Sequence, residues 1–255
     1  MNTVEQLSLD VALGRMSQAD GEQVSAAMAN DGRLDVDTLA AWFSTAVWMT
    51  GRESWERGLL LGRLLHAALE ALPDDPPSPQ RALALCRSDW LEIAHLALVH
   101  RPDAGLQASG RRSGEAALAT ARRLGDDGLA GDVLYRLGVL FLDPASRPRA
   151  IWAEEHRLWL SLDPEAAAGL PEPPEALATA RRYLTEAVAL RAGPALGYTV
   201  KALAQAIQQQ SFLSTDADND SQTVAGLCQQ ALELIPATDV TARAAVEQMA
   251  AESGT

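Results

Sequence analysis

The sequence contains few cysteines, few aromatic residues and almost no lysine. Cys86 and Cys228 are the only two cysteines and lie far apart, which argues against a disulfide framework and against the clustered thiols of a structural zinc site. Aromatic residues make up 5% of the chain, and no segment alternates β-branched with polar residues, so we expect essentially no β-sheet. Lys201 is the only lysine, and arginine supplies every other positive side chain.

The chain also lacks a long uncharged apolar run. Its most apolar segment, residues 58–72, is interrupted by Arg63, His66 and Glu70 and is too short to cross a bilayer. Residues 1–14 contain no basic stretch followed by an apolar core, so no signal peptide is expected. These absences predict a soluble, cytoplasmic protein that does not bind membranes.

What the chain has in excess is negative charge and helix-forming residues. Its net charge is −13, and an acidic chain repels the phosphate backbone, so nucleic acid is not an expected partner. Hydrophobic residues account for 47% of the sequence, enough to bury a core. Because alanine and leucine dominate this fraction, the composition favours helix.

Apolar residues at three- and four-residue spacing, separated by stop signals, predict about twelve helices. For example, Ser78 before Pro79 predicts a helix start, and Gly32 predicts a helix end. Proline-rich stretches at 73–79 and 163–174 interrupt the helices. We therefore expect N-terminal helical hairpins over 1–72 and helical repeats over 80–255, either as two regions or as one continuous array. One predicted helix, about residues 53–72, carries its apolar stripe at Leu61, Leu64, Leu65, Ala68, Leu69 and Leu72.

One pattern is more specific. Leu134, Leu137, Gly138 and Phe141 follow the spacing L-x-x-L-G-x-x-F, and Ala150 lies twelve residues after Gly138. This pattern is similar to the first helix, and to the small second-helix residue, of a tetratricopeptide (TPR) repeat. Weaker similarity to the second helix of such a repeat occurs in two later segments, at Ala180, Leu184 and Ala187 and at Leu227, Ala231, Leu232 and Pro236.

The resemblance implies an all-α fold, a right-handed solenoid of antiparallel helical hairpins in which Gly138 and Ala150 face each other. It also implies a protein–protein interaction scaffold or adaptor, in a bacterial signalling or effector system. Two alternatives stay open: a regulatory region of a longer signalling or protease-like protein, and an all-helical enzyme with an unrecognised pocket. The pairing of helices also stays open, since 195–212 can pair with 174–191 or with 221–235.

The sequence contains no motif that predicts a catalytic, cofactor-binding or metal-binding site. The acidic loop 216–220 resembles the start of a calcium loop, but Ser221 and Leu227 occupy the positions where such a loop needs glycine and glutamate. Glu92 and His95 form Glu-x-x-His, but the second such pair of a di-iron bundle is missing. We therefore expect no catalytic residues, no cofactor and no metal, and a protein that is not an enzyme.

The expected partner is a protein or peptide, and the sequence does not indicate an oligomeric state. In the TPR family the first helix of each hairpin lines a concave groove, and here those helices would be 127–142 and 195–212. We expect Arg136 and Lys201 to meet acidic groups of the partner. The candidate partner-binding residues are the polar positions of these two helices, namely Asp132, Arg136, Lys201, Gln205 and Gln208.

Overall fold

The structure, a computed structural model, describes residues 3–52, 55–73, 78–98, 104–145, 172–212 and 217–253. Within these ranges the chain forms eleven α-helices and no strand, which confirms the all-α prediction. The twelfth predicted helix, at about 148–163, lies outside the described residues. The helices are α1 (Thr3–Ala12), α2 (Gln18–Asn30), α3 (Val36–Arg52), α4 (Trp55–Ala71), α5 (Pro79–Leu98), α6 (Ala104–Leu124), α7 (Asp127–Ala145), α8 (Pro173–Leu190), α9 (Gly193–Ser211), α10 (Ala217–Leu234) and α11 (Val240–Ser253).

Local capping signals set several of the helix ends. Ser78 accepts a hydrogen bond from the Arg81 amide at 3.3 Å, and Asp35 accepts one from the Thr38 amide at 2.7 Å. Each bond satisfies an amide that has no partner within its helix. Gly32 follows α2 with φ of 70°, a conformation that glycine adopts without a steric penalty. The predicted helix start at 79 and helix end at Gly32 are therefore confirmed.

The helices form two compact units. Unit 1 comprises residues 1–99 and 105–117, and unit 2 comprises residues 100–104 and 118–255, so the division falls within α6. In unit 1, α5 contacts both α3 and α4. The proline-rich stretch 73–79 thus separates two helices, α4 and α5, that pack together in one unit.

Unit 1 is built around α4, which contacts α1, α2, α3 and α5. The predicted apolar stripe is buried within this helix, with Leu61, Leu64 and Leu65 at most 2% exposed, whereas its last residue, Leu72, follows the helix and is half-buried. Leu61 and Leu65 share a core with Phe43 of α3 and Leu91 of α5. Because each fully buried leucine or phenylalanine contributes about 1.5–3 kcal/mol, the stripe on α4 is a principal stabiliser of unit 1.

Unit 2 is an ordered series in which each of α7, α8, α9 and α10 contacts the next helix. Alternate helices also meet, since α7 contacts α9 and α9 contacts α11. The helix α9 therefore packs against both α8 and α10. The two pairings that the sequence left open for residues 195–212, with 174–191 and with 221–235, are both present as helix contacts. The α8 helix makes its most extensive contact with α7.

Two glycines mark close approaches between helices of unit 2. A Cβ atom at Gly138 of α7 would lie 2.5 Å from Cγ of Leu184 in α8. One at Gly197 of α9 would lie 2.8 Å from Cβ of Leu234 in α10. The helix that approaches Gly138 is thus α8, while Ala150, its predicted neighbour, lies outside the described residues.

Candidate functional site

Two of the predicted partner-binding residues, Asp132 and Arg136, lie on α7, and Asp132 contacts the side chain of Arg191. Arg191 follows the last residue of α8 and donates hydrogen bonds from Nη2 to Asp132 Oδ1 at 2.8 Å and from Nη1 to Thr199 Oγ1 of α9 at 2.7 Å. Its side chain is 12% exposed. Gly131 provides the space, since a Cβ there would lie 2.8 Å from Arg191 Cγ. Arg191 therefore connects α7, the end of α8 and α9.

The ring of Tyr135 lies next to this arginine. The guanidinium carbon of Arg191 is 4.4 Å from the ring centroid, and that of Arg136 is 5.3 Å from it. Both distances lie within the range of a cation–π interaction. Asp132 is therefore paired with Arg191, while Arg136 lies near the ring of Tyr135.

One face of α9 carries a narrow stripe of half-buried residues. From Gly197 to Gln208 every residue is buried except Tyr198, Lys201 and Gln205, which are half-buried. Positions three and four apart lie on the same face of a helix, so these three residues form one line. Two of them, Lys201 and Gln205, are predicted partner-binding residues, and the structure brings them together.

Gln208 occupies a different position from the one that sequence analysis proposed. Its residue is 7% exposed, and its amide nitrogen donates to Glu252 Oε2 of α11 at 3.3 Å. The predicted role for Gln208 in partner binding is therefore corrected: it connects α9 to α11, because the next-but-one helix covers this side of α9.

Unit 1 contains a separate group of ionisable side chains. Arg63 of α4 donates two hydrogen bonds to the carboxylate of Glu92 in α5, at 2.6 and 2.9 Å. Glu92 is the glutamate of the Glu-x-x-His sequence, and its carboxylate is therefore engaged by Arg63 in a bidentate pair. The side chain of His95 lies outside the described part of the structure, so the expectation of no di-iron site stays a prediction.

Beside this pair lies a buried carboxyl. Asp89 of α5 is 7% exposed. Burial raises the pKa of its carboxyl to about 6, although attraction to His66, hydrogen bonds from Ser109 and Ser113 of α6, and attraction to Arg112 lower it. A carboxyl with this pKa changes its charge in mildly acidic solution.

His66 joins a chain of polar groups that resembles a hydrolase triad in composition. Its Nδ1 lies 3.0 Å from Ser88 Oγ, and its Nε2 lies 3.4 Å from Glu70 Oε1. A nucleophilic serine must reach a substrate carbonyl. Ser88 lies inside α5 and is 5% exposed, so its hydroxyl does not face solvent and the arrangement is suited to helix packing.

Sequence analysis did not find the two residues that organise these groups, Arg191 and Asp89. Each lies at an ordinary helical position, and its partners come from other helices. Gly131 carried the one usable signal for Arg191, because a glycine inside a helix suggests close approach of another group. No comparable signal connects Asp89 to the serines of α6.

Among the side chains that the structure describes, no group of three or more histidines, cysteines, aspartates or glutamates could hold a metal ion. The prediction of a loop over 216–220 is wrong from Ala217 onwards, because α10 begins there. Residue 216 and the side chains of residues 217–221 lie outside the described part, so the expected failure of this segment to bind calcium stays a prediction.

None of the described helices is both long enough and apolar enough to cross a membrane.

No protein-family model, no curated protein and no solved structure matches this chain. The arguments for function therefore rest on the geometry of its own residues.

Proposed function

We propose that unit 2 is a TPR-like helical-repeat scaffold that binds a peptide segment of a partner protein on the α7–α9 face, which we define by Arg136, Lys201 and Gln205. The stripe on α9 carries this proposal. Three half-buried polar or amphipathic residues interrupt the otherwise buried segment from Gly197 to Gln208 at a spacing that places them in one line.

The order of helix contacts supports the repeat architecture. In a solenoid of hairpins, the first helix of one hairpin contacts both its own second helix and the first helix of the next hairpin. The contacts α7–α8 and α9–α10, together with α7–α9 and α9–α11, follow this order. On this arrangement α7, α9 and α11 are first helices and lie on one side of the array.

The positions of the motif residues support the same arrangement. The first-helix pattern around Gly138 lies on α7, and Ala180, Leu184 and Ala187, the second-helix pattern, lie on α8. Leu184 is the residue that approaches Gly138. The two halves of one TPR-like repeat are then neighbours in space, although residues 146–172 separate them in sequence.

The chemistry of the α7–α9 face favours an acidic, extended peptide. Arg136 and Lys201 supply positive charge on a chain whose net charge is −13. The amide of Gln205 can donate to and accept from a peptide backbone. Arg191 connects the two helices of this face through its hydrogen bonds to Asp132 of α7 and Thr199 of α9.

The test uses two charge-reversal variants that change the net charge equally. Arg136→Glu with Lys201→Glu alters the α7–α9 face, while Arg123→Glu with Arg182→Glu alters exposed arginines of α6 and α8 in the same unit. Affinity capture from the host with wild-type protein identifies a partner. Isothermal titration of the purified partner segment then measures binding by each protein, and circular dichroism verifies that each is folded.

We expect the face variant to bind the segment more than about tenfold more weakly, since like charges placed opposite each other cost several kcal/mol, and the control to bind within about twofold of wild type. Equal binding by the face variant and the wild type would exclude this face. A loss in both variants would show that net charge, rather than the α7–α9 face, governs the interaction.

A further inference from the structure

The helix pairs α7–α8 and α9–α10 pack by one pattern. A Cβ at Gly131, one turn into α7, would lie 3.2 Å from Cβ of Leu190, the last residue of α8. A Cβ at Gly197, one turn into α9, would lie 2.8 Å from Cβ of Leu234, the last residue of α10. The two glycines therefore occupy equivalent positions, and the residues that follow them can be compared.

The residue after each glycine binds the connection that follows the second helix of its pair. Asp132 of α7 accepts a hydrogen bond at 2.8 Å from Arg191, which lies between α8 and α9. The hydroxyl of Tyr198 in α9 donates at 2.6 Å to Oδ2 of Asp239, which lies between α10 and α11. Tyr198 is thus the counterpart in α9 of Asp132, a residue that sequence analysis assigned to partner binding.

Asp239 fixes the orientation of the Tyr198 ring. The residue is 6% exposed, and its other carboxylate oxygen, Oδ1, accepts from the Ala242 amide of α11 at 3.1 Å. Because both oxygens of this buried carboxylate are engaged, the tyrosine hydroxyl has a fixed acceptor. Tyr198 itself is half-buried, so part of a ring that is already ordered faces solvent. A ligand that contacts it loses little further side-chain entropy.

Tyr198 is also the first residue of the half-buried stripe that continues with Lys201 and Gln205. With a rise of about 1.5 Å per residue, Lys201 lies about 4.5 Å further along the helix axis. An extended peptide advances about 3.3 Å per residue. The peptide residue beside the Tyr198 ring and the one that meets Lys201 are therefore one or two positions apart.

We propose that Tyr198 is a specificity-determining residue of the α7–α9 face and contacts an aromatic or aliphatic side chain of the bound peptide. That side chain lies within two residues of the acidic residue that meets Lys201. The inference rests on the proposed function and names the class of peptide: acidic, with a large apolar neighbour. Tyrosine rings pack well against such side chains, and tyrosine is enriched among the residues that dominate binding energy.

The first test is selection of short random peptides, displayed on phage, by the full-length protein. Wild type should enrich peptides that have a large apolar residue within two positions of an aspartate or glutamate. Tyr198→Ala should keep the acidic preference and lose the apolar one. Tyr198→Phe keeps the ring but loses the hydrogen bond to Asp239, so it should keep both preferences. Circular dichroism verifies that each protein is folded.

The second test is calorimetric titration with one peptide selected by wild type and a matched peptide whose apolar residue is glycine. Tyr198→Ala should bind the selected peptide about tenfold more weakly, and Tyr198→Phe within about threefold of wild type. Wild type should bind the glycine peptide about tenfold more weakly, whereas Tyr198→Ala should bind both peptides within about twofold. This double-mutant cycle separates a direct contact from a structural role, which would weaken both peptides equally.

The outcomes separate this inference from the proposed function. Acidic peptides enriched without an apolar neighbour, or equal weakening of both peptides by Tyr198→Ala, would overturn the role of Tyr198 alone. If Tyr198→Ala does not fold, equal affinity of the wild type for the two peptides would do the same. No enrichment by wild type, or the same peptides selected by the Arg136→Glu, Lys201→Glu variant, would overturn the proposed function and this inference with it.

Discussion

Two helical glycines of unit 2, Gly197 and Gly226, provide a matched test of its packing. A Cβ at Gly197 of α9 would lie 2.8 Å from Cβ of Leu234, 3.0 Å from the backbone nitrogen of Ile235 and 3.1 Å from Ile235 Cγ1. A Cβ at Gly226 of α10 would meet nothing within 4 Å. The same substitution, glycine to alanine, should therefore have opposite effects at the two positions.

The magnitudes follow from two opposing contributions. Alanine stabilises a helix interior by about 0.5–1 kcal/mol relative to glycine, because the unfolded chain loses less conformational entropy. At Gly226 this gain stands alone, so Gly226→Ala should raise the free energy of unfolding by about 0.5–1 kcal/mol. At Gly197 overpacking costs about 1–3 kcal/mol. Its neighbours are a Cβ and a backbone nitrogen, which cannot rotate away, so Gly197→Ala should lower the free energy of unfolding by roughly 1–2 kcal/mol.

Urea titration followed by hydrogen exchange of peptides from α9 and α10 measures these differences in unit 2 separately from unit 1. A Gly197→Ala protein that is as stable as wild type would refute the close approach of α9 and α10. A Gly226→Ala protein that is less stable would instead refute the helical, uncovered position of that glycine in α10.

Two further substitutions test the contacts of α7. Gly138→Leu should overpack the contact with Leu184 and lower the free energy of unfolding by about 1–3 kcal/mol; an unchanged melting temperature in a monodisperse sample would contradict that contact. Arg191→Met should cost about 1–3 kcal/mol, because it removes the hydrogen bonds to Asp132 and Thr199. The matching change Arg182→Met, at an exposed position of α8, should cost no more than about 0.5 kcal/mol, and equal losses in both proteins would show that Arg191 does not connect the helices.

The helices themselves could be read from the sequence because their causes are local. Ser78 accepts a hydrogen bond from an amide three residues away, and Gly32 ends a helix through its own backbone conformation. The stripe at Leu61, Leu64 and Leu65 is visible as a period because the burial of a helix face repeats along the chain. Each of these features lies within a few residues of sequence.

The candidate sites were predicted less completely. Lys201 and Gln205 lie together because they share one helix, so their spacing was sufficient to associate them. Gln208 has the same spacing but is covered by α11, a helix that begins more than thirty residues later. Its burial depends on how α9 and α11 pack, and helical periodicity contains no information on that.

The sequence by itself determined the helical class, individual helix ends such as those at Pro79 and Gly32, and most of the buried stripe of α4, because hydrophobic periodicity and capping act within a helix or at its ends. Tertiary structure alone decided that α8 lies against α7, that Arg191 joins Asp132 to Thr199, and that Asp89 meets the serines of α6. In each case the interacting atoms belong to different helices, and their meeting depends on packing between side chains that are distant in sequence. Such contacts form only when the chain has folded, so no local pattern encodes them.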